Sequence, residues 1–371
     1  MTLKSLFASA ICFISLLSSA SADILIGLQT PLTGPAATLG KSAKGAAEIA
    51  VDRINASGGL LGQKLVLQIY DDQIQGAQAI SIANQVTSDR RLTAMIASSY
   101  SEPTRAAATI YQSAKMLYLA ATASHPDITK AGTFVFRGSH LGESQGEQAA
   151  TYMKKQGYKK VSIVKVDNDF GASVINGLKD RAKQIDLGIA SEYAFSMSDR
   201  QFGTLVANIK RDAPDVVYIC AFEFNGGPLV AQLRAGGFTG PLVACQSMGN
   251  QVFLQITGPA SEGIAVIDTR APDYPNPAFQ DFFKELKARG AEASPDGASS
   301  TYAFFEILAD AIKRTGTTDP ERLRDAVAAT KELPTIRGVL HGFTARREVL
   351  QEYPVLKAQN GKFTHIESLE P

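Results

Sequence analysis

The sequence contains no tryptophan, only four histidines and only three cysteines. Without tryptophan, a stacking platform or aromatic cage lacks its strongest member. The His and Cys residues are too few and too scattered for a structural zinc site, so no metal and no cofactor is expected. An excess of charge is missing too. There are 37 Lys and Arg against 36 Asp and Glu, a formal net charge of +1. No global electrostatic drive toward nucleic acid or an anionic membrane follows from that balance. No run of apolar residues reaches the ~20 that a bilayer span needs. A Gly-x-Ser-x-Gly elbow is absent. His125, His140, His341 and His365 stand without triad, metal or paired-carboxylate spacing, so no catalytic residue is assigned.

What is present reads as globular. The 371 residues are 45% hydrophobic, 8% aromatic and 20% charged, values that exclude wholesale disorder and a polytopic membrane protein. The length suggests two domains of roughly 150 residues each. Residues 1–22 read as an export signal: Lys4, an apolar run over residues 6–17, and Ala20-Ser-Ala22 before Asp23. Cleavage is expected before Asp23, giving a soluble product outside the cytoplasm. Cys12 lies inside the apolar run, not at the cleavage point, which argues against a lipid anchor. Cys220 and Cys245 remain in the mature chain. Each follows a strand, and whether they form a disulfide or stay as buried thiols is left open by sequence.

Strand and helix patterns alternate. Strands are expected at 23–29, 65–70, 93–97 and 116–120, with helices at 41–54, 77–87 and 103–114 between them. The rhythm restarts with strands at 160–166, 190–195, 216–220, 242–245 and 263–267, and helices at 172–185, 202–211 and 228–235. Three helices follow, at 277–289, 299–314 and 320–330, and then a hairpin turning at Asn360-Gly361. The fold class is therefore α/β: two Rossmann-like lobes with parallel central sheets. In such sheets ligands bind at the carboxyl ends of the strands, which puts a ligand cleft between the facing lobes.

An ordered series of motifs carries a family resemblance. Thr30-Pro-Leu-Thr-Gly-Pro35 follows the first strand, and Ile54-Asn-Ala-Ser-Gly-Gly59 with Gly62 closes the first helix. Asp71-Asp72 ends the second strand, Ala123-Ser-His-Pro-Asp-Ile-Thr129 follows the fourth, and Asp167-Asn-Asp-Phe-Gly171 opens the second half. The chain resembles the periplasmic solute-binding proteins of ABC importers, in the group built like the leucine/isoleucine/valine-binding protein. That resemblance implies three interlobe crossings, placed near His140, Thr269 and Thr344. It implies lobe 1 at 23–140 and 270–344, and lobe 2 at 141–269 and 345–371. It also implies capture of a small-molecule carboxylate ligand by lobe closure and delivery to a membrane permease, by a monomer with no nucleic-acid partner.

Candidate ligand residues come from both readings. Ser101 follows a strand and precedes Pro103, the composition of a helix start whose amides would face the cleft. Ser124, before Pro126, reads the same way, and plain helix capping is the competing role of both. In the resemblance, Ser101 falls on a carboxylate-binding serine, and Thr122, Ala123 and Ser124 on a backbone-and-hydroxyl segment. The family's pocket acid falls on Gln246 and its pocket tyrosines on Leu39, Phe170 and Phe222. The expected pocket is thus more apolar and less acidic than one tuned to an α-amino acid, unless Glu223 supplies the missing charge. For Phe170, Phe222 and Phe224, ligand wall and ordinary core packing stay open. The expected ligand is branched-chain-amino-acid-like or an apolar or aromatic carboxylate. A soluble co-receptor for a membrane sensor is the alternative. The segment Gly34 to Ser42 imitates a phosphate loop but has five residues between its glycines where that loop needs four.

Overall fold

The structure is a computed structural model that describes residues 23–268, 277–350 and 352–369. The export signal and the crossing expected near Thr269 lie outside the described residues.

The first half builds a lobe from β1 (Ile24–Thr30), α1 (Ala37–Ala56), β2 (Leu65–Asp71), α2 (Gly76–Asp89), β3 (Leu92–Ala97), α3 (Ser101–Ser113), β4 (Leu117–Ala120), α4 (Asp127–Lys130) and β5 (Val135–Arg137). Its sheet is parallel, in the order β2-β1-β3-β4-β5. The second half runs α5 (Gly142–Lys155), β6 (Lys160–Val166), α6 (Asp169–Gln184), β7 (Gly188–Phe195), α7 (Gly203–Asp212), β8 (Val216–Cys220), α8 (Glu223–Ala235), β9 (Leu242–Cys245), α9 (Gln251–Thr257) and β10 (Ala265–Ile267). The chain then returns to the first lobe with α10 (Pro277–Ala288), α11 (Pro295–Thr315), α12 (Pro320–Ala328), β11 (Leu333–Thr335) and β12 (Gly338–Leu340). Phe282, Phe304 and Phe305 from this return share a core with Ile26 and Leu117. Finally β13 (Tyr353–Gln359) and β14 (Lys362–Leu369) add an antiparallel edge to the second sheet, ordered β14-β13-β10-β9-β8-β6-β7. Their turn is at Asn360-Gly361, both with positive φ, as a two-residue hairpin of this type requires.

Both parallel sheets are covered on both faces, which is why strands such as β8 are apolar throughout and wholly buried. In each sheet the strand order reverses beside the first strand of its lobe, between β1 and β3 and between β6 and β8. The loops leaving those strands diverge there and open a crevice.

Several elements differ from their sequence expectation. The helix α5 was not visible as an apolar pattern, because it packs on α6 through Gly146 and Gly177. A Cβ on Gly146 would lie 1.9 Å from the Val174 carbonyl oxygen, and one on Gly177 would lie 1.9 Å from that of Glu143. The helix α8 starts at Glu223, five residues before the Pro228 expected to open it, and forgoes one backbone bond at that proline. Residues past the expected third crossing at Thr344 still belong to the first lobe. The Arg137 amide donates to Arg347 O at 2.9 Å, the Val349 amide donates to Arg137 O at 3.1 Å, and Val349 is in the first lobe's core. The chain leaves that lobe between Val349 and Tyr353. Cys220 and Cys245 sit side by side at the ends of β8 and β9, yet both are free, buried thiols. Burial pushes the Cys220 thiol up.

Candidate functional site

The crevices of the two lobes face each other across a cleft of about 710 Å³, its mouth included. All eight residues singled out by sequence line it: Leu39, Ser101, Thr122, Ala123 and Ser124 from the first lobe, and Phe170, Phe222 and Gln246 from the second. The topology explains the convergence. Leu39 follows β1, Ser101 follows β3 and Thr122 to Ser124 follow β4. In the second lobe Phe170 follows β6, Phe222 follows β8 and Gln246 follows β9.

The first-lobe wall is a set of polar groups without partners. Ser101 is the first residue of α3 rather than its cap; the capping position is Tyr100, which makes no side-chain cap bond. The helix start therefore keeps free amides toward the cleft, as helix N-termini do. The segment at Ser124 differs from expectation. The helix after it, α4, is four residues long and begins only at Asp127, so no helix dipole backs Ser124. Instead the amides of Thr122, Ala123 and Ser124 have no backbone acceptor among the described residues. The buried Ser124 hydroxyl also has no partner. The Thr122 hydroxyl donates to Ser99 O at 2.8 Å, so its lone pairs alone face the site.

The second-lobe wall is aromatic. Phe170 stacks on Phe222 with ring centroids 5.4 Å apart, and Phe222 in turn lies 5.8 Å from Phe224. Phe170 and Phe222 reach the cleft, whereas Phe224 does not and packs beneath Arg200. Tyr100 crosses from the first lobe to meet Phe222 edge-on at 4.5 Å. The Gln246 side-chain oxygen is buried without a partner.

Sequence reasoning missed Tyr100, Ser247, Asn250 and the start of α11. That helix begins four residues earlier than expected and brings Ser294, Asp296 and Gly297 to the cleft. Among the described residues lining the cleft there is no lysine, arginine or histidine, but there are two acids. Asp296 is neutralised by Arg337, whose guanidinium donates to it at 2.7 Å. Glu223, the first residue of α8, is buried and has no such cation among the described residues that line the cleft. Burial pushes its carboxyl up to about 7, against the pull of its own amide and of Asn250. Among the described residues no group of His, Cys, Asp and Glu is arranged to hold a metal, and no helix is long and apolar enough to cross a membrane.

Comparison with known proteins agrees with this geometry. The family model described as "Periplasmic binding protein" matches residues 23–362. A Leu/Ile/Val-binding protein of Rhizobium johnstonii is 31% identical over 377 residues, covering 99% of this chain and 100% of the relative. A leucine-binding protein from Thermotoga maritima superposes with a TM-score of 0.86 at 21% identity, covering 94% of this chain and 99% of that one. A solute-binding protein of an ABC transporter from R. palustris, solved with benzoate, gives 0.86 at 21% identity, covering 94% and 97%. The chain belongs to the periplasmic binding protein family, in the group like the Leu/Ile/Val-binding proteins.

Proposed function

We propose that this member of the periplasmic binding protein family captures a small carboxylate with an apolar or aromatic body and delivers it to the membrane permease of an ABC importer. The observation that carries the reading is the polarity of the cleft. Unpartnered amides at Thr122 to Ser124 and at the start of α3, with the unpartnered Ser124 hydroxyl, stand opposite the stacked rings of Phe170 and Phe222. The first wall suits a carboxylate held by dipoles, and the second suits an apolar body. Gln246 offers hydrogen bonds but no counter-charge for an ammonium. The eight residues named from sequence serve as ligand contacts in this reading. The chain acts as an exported monomer, cleaved before Asp23, with no catalytic step.

Branched-chain amino acids are the second reading, favoured by the names of relatives such as the Leu/Ile/Val-binding protein of Rhizobium johnstonii. Calorimetric titration of matched pairs separates the two: leucine against its 2-keto acid, and phenylalanine against benzoate. The proposal expects the acids lacking an amino group to bind at least as tightly as their partners. If both amino acids bind more than about tenfold tighter, a difference of ~1.4 kcal/mol, the amino group is being read and the second reading stands.

A further inference from the structure

We infer that Glu223 is the residue through which the cleft reads ligand charge: it takes up a proton from solvent when a ligand carrying only a carboxylate binds, and stays ionised against a ligand that also carries an ammonium. The inference rests on the carboxylate site proposed above and adds a proton to it.

The argument begins with charge balance. A carboxylate entering this cleft meets no cationic side chain among the described residues that line it. Its charge is met by amides and hydroxyls of the first lobe. On the opposite lobe, Glu223 opens α8 in a buried position beside Phe222 and lines the same space. Two anions enclosed together in a low-dielectric cleft repel, and the usual resolution is that one carries a proton. The other groups around Glu223 leave it in that role. Tyr100 at the start of α3 is buried, which pushes its phenol well above the ordinary range, so it stays neutral. Asp296 at the start of α11 is paired with Arg337 at 2.7 Å. Asp268, just after β10, does not itself line the cleft, and its carboxylate lies beside Gly249. Asp72, just after β2, does not line the cleft, and Gln29 donates to it at 2.9 Å. The turn at Gln246 and the start of α9 present only amides and hydroxyls, from Gln246, Ser247 and Asn250. The charges of α7 lie at the far end of α8, where Lys210 donates to the Gly236 carbonyl. Among the described residues Glu223 is thus the cleft-lining acid with no cation paired to it, and burial already poises it near neutrality.

The sign follows. A bound carboxylate raises the Glu223 pKa further, so its affinity is highest below the free-state value and falls as pH rises through it. A ligand ammonium lowers that pKa, so an amino acid would bind better above it and worse below.

The test titrates benzoate, leucine's 2-keto acid and leucine between about pH 5.5 and about pH 8.5, a range in which ligand carboxylates stay ionised. Wild type is compared with Glu223→Gln. The expected result is a wild-type affinity for the two acids that falls several-fold to tenfold per pH unit above neutrality, and a flat profile in E223Q. Calorimetry of the wild type in two buffers of different ionisation enthalpy adds a reading that needs no variant, and net proton uptake near pH 8 is expected for both acids. Binding of the acids with no proton uptake and no pH dependence overturns the inference and leaves the carboxylate site intact. An equal pH dependence in E223Q also overturns it, since another group would then be titrating. Binding of leucine with neither acid bound at any pH overturns the inference and leaves the second reading, and failure of all three ligands sinks the carboxylate site and the inference together.

Discussion

The Ser124 hydroxyl is buried with nothing to bond, a condition that costs ~1–3 kcal/mol when nothing relieves it. Ser101 nearby makes no cap bond at its helix start. Polar atoms kept in this state are waiting for a partner, and a carboxylate is the partner their donors suit. Ser101→Ala and Ser124→Ala should each weaken a carboxylate ligand by ~1.5–3 kcal/mol, the worth of a hydrogen bond to a charged group, with the ligand-free denaturation midpoint not lowered and, for Ser124→Ala, raised. Isothermal titration with benzoate and with leucine checks this; unchanged affinity in both variants would make the serines structural. The sequence pointed to these serines through the turn after a strand and through the family resemblance, with plain capping as the competing role, and both line the cleft. It did not point to Tyr100 or Asp296. Tyr100 hides as the end of a strand-like run, and Asp296 depends on where α11 begins, which Pro295 at its first position sets.

At the scale of elements, the long apolar strands announced themselves while α5 did not. Its buried face is Gly142, Gly146, Ala149 and Ala150 as much as Tyr152 and Met153, so the hydrophobic period is blunted by the very residues that allow close approach to α6. Two opposing terms decide what happens if that approach is blocked. Gly146→Ala gains ~1 kcal/mol of helix propensity. Against this, the new methyl would lie 1.9 Å from the backbone oxygen of Val174. Backbone cannot step aside as a side chain does, and overpacking of this kind costs ~1–3 kcal/mol or more. Net destabilisation is expected in urea unfolding. Gly203→Ala at the start of α7 is the control, since nothing lies within 4 Å of its Cβ position, and it should be neutral or slightly stabilising. The early start of α8 belongs to the same scale. A proline rule aimed at Pro228 missed it, and with it the helix-start position of Glu223.

At the scale of the molecule, the two lobes touch across the cleft at two kinds of contact. Tyr100 meets Phe222 at the back, and at the rim Arg105 on α3 pairs with Asp169 on α6 at 2.7 Å. The pivots are short. The Arg137 guanidinium lies 2.6 Å from Glu348, and its strand is bonded to residues 347 and 349, so the third crossing is confined to the few residues before Tyr353. Beside it His140 packs on Tyr353 with centroids 3.9 Å apart, joining the first and third crossings. Sequence placed two lobes and a cleft correctly because repeated strand–helix units leave few other arrangements. It misplaced the third crossing because residues 343–349 extend the first sheet's edge by backbone bonding, which carries no hydrophobic signature. A cleft completed by residues of both lobes binds ligand only when they meet, so ligand should shift the chain toward the touching arrangement. Small-angle scattering should show a smaller radius of gyration at saturating benzoate or leucine, whichever binds. A ligand at 100 times its Kd should also stabilise the fold by ~2.7 kcal/mol. The half-exposed Arg105–Asp169 pair is of the class worth ~0–1 kcal/mol, so Arg105→Ala should lower affinity by about fivefold at most and leave compaction intact. If compaction vanished in that variant, the rim pair rather than the ligand would be holding the lobes together. If it were absent in the wild type at saturation, the cleft would be closed before the ligand arrives.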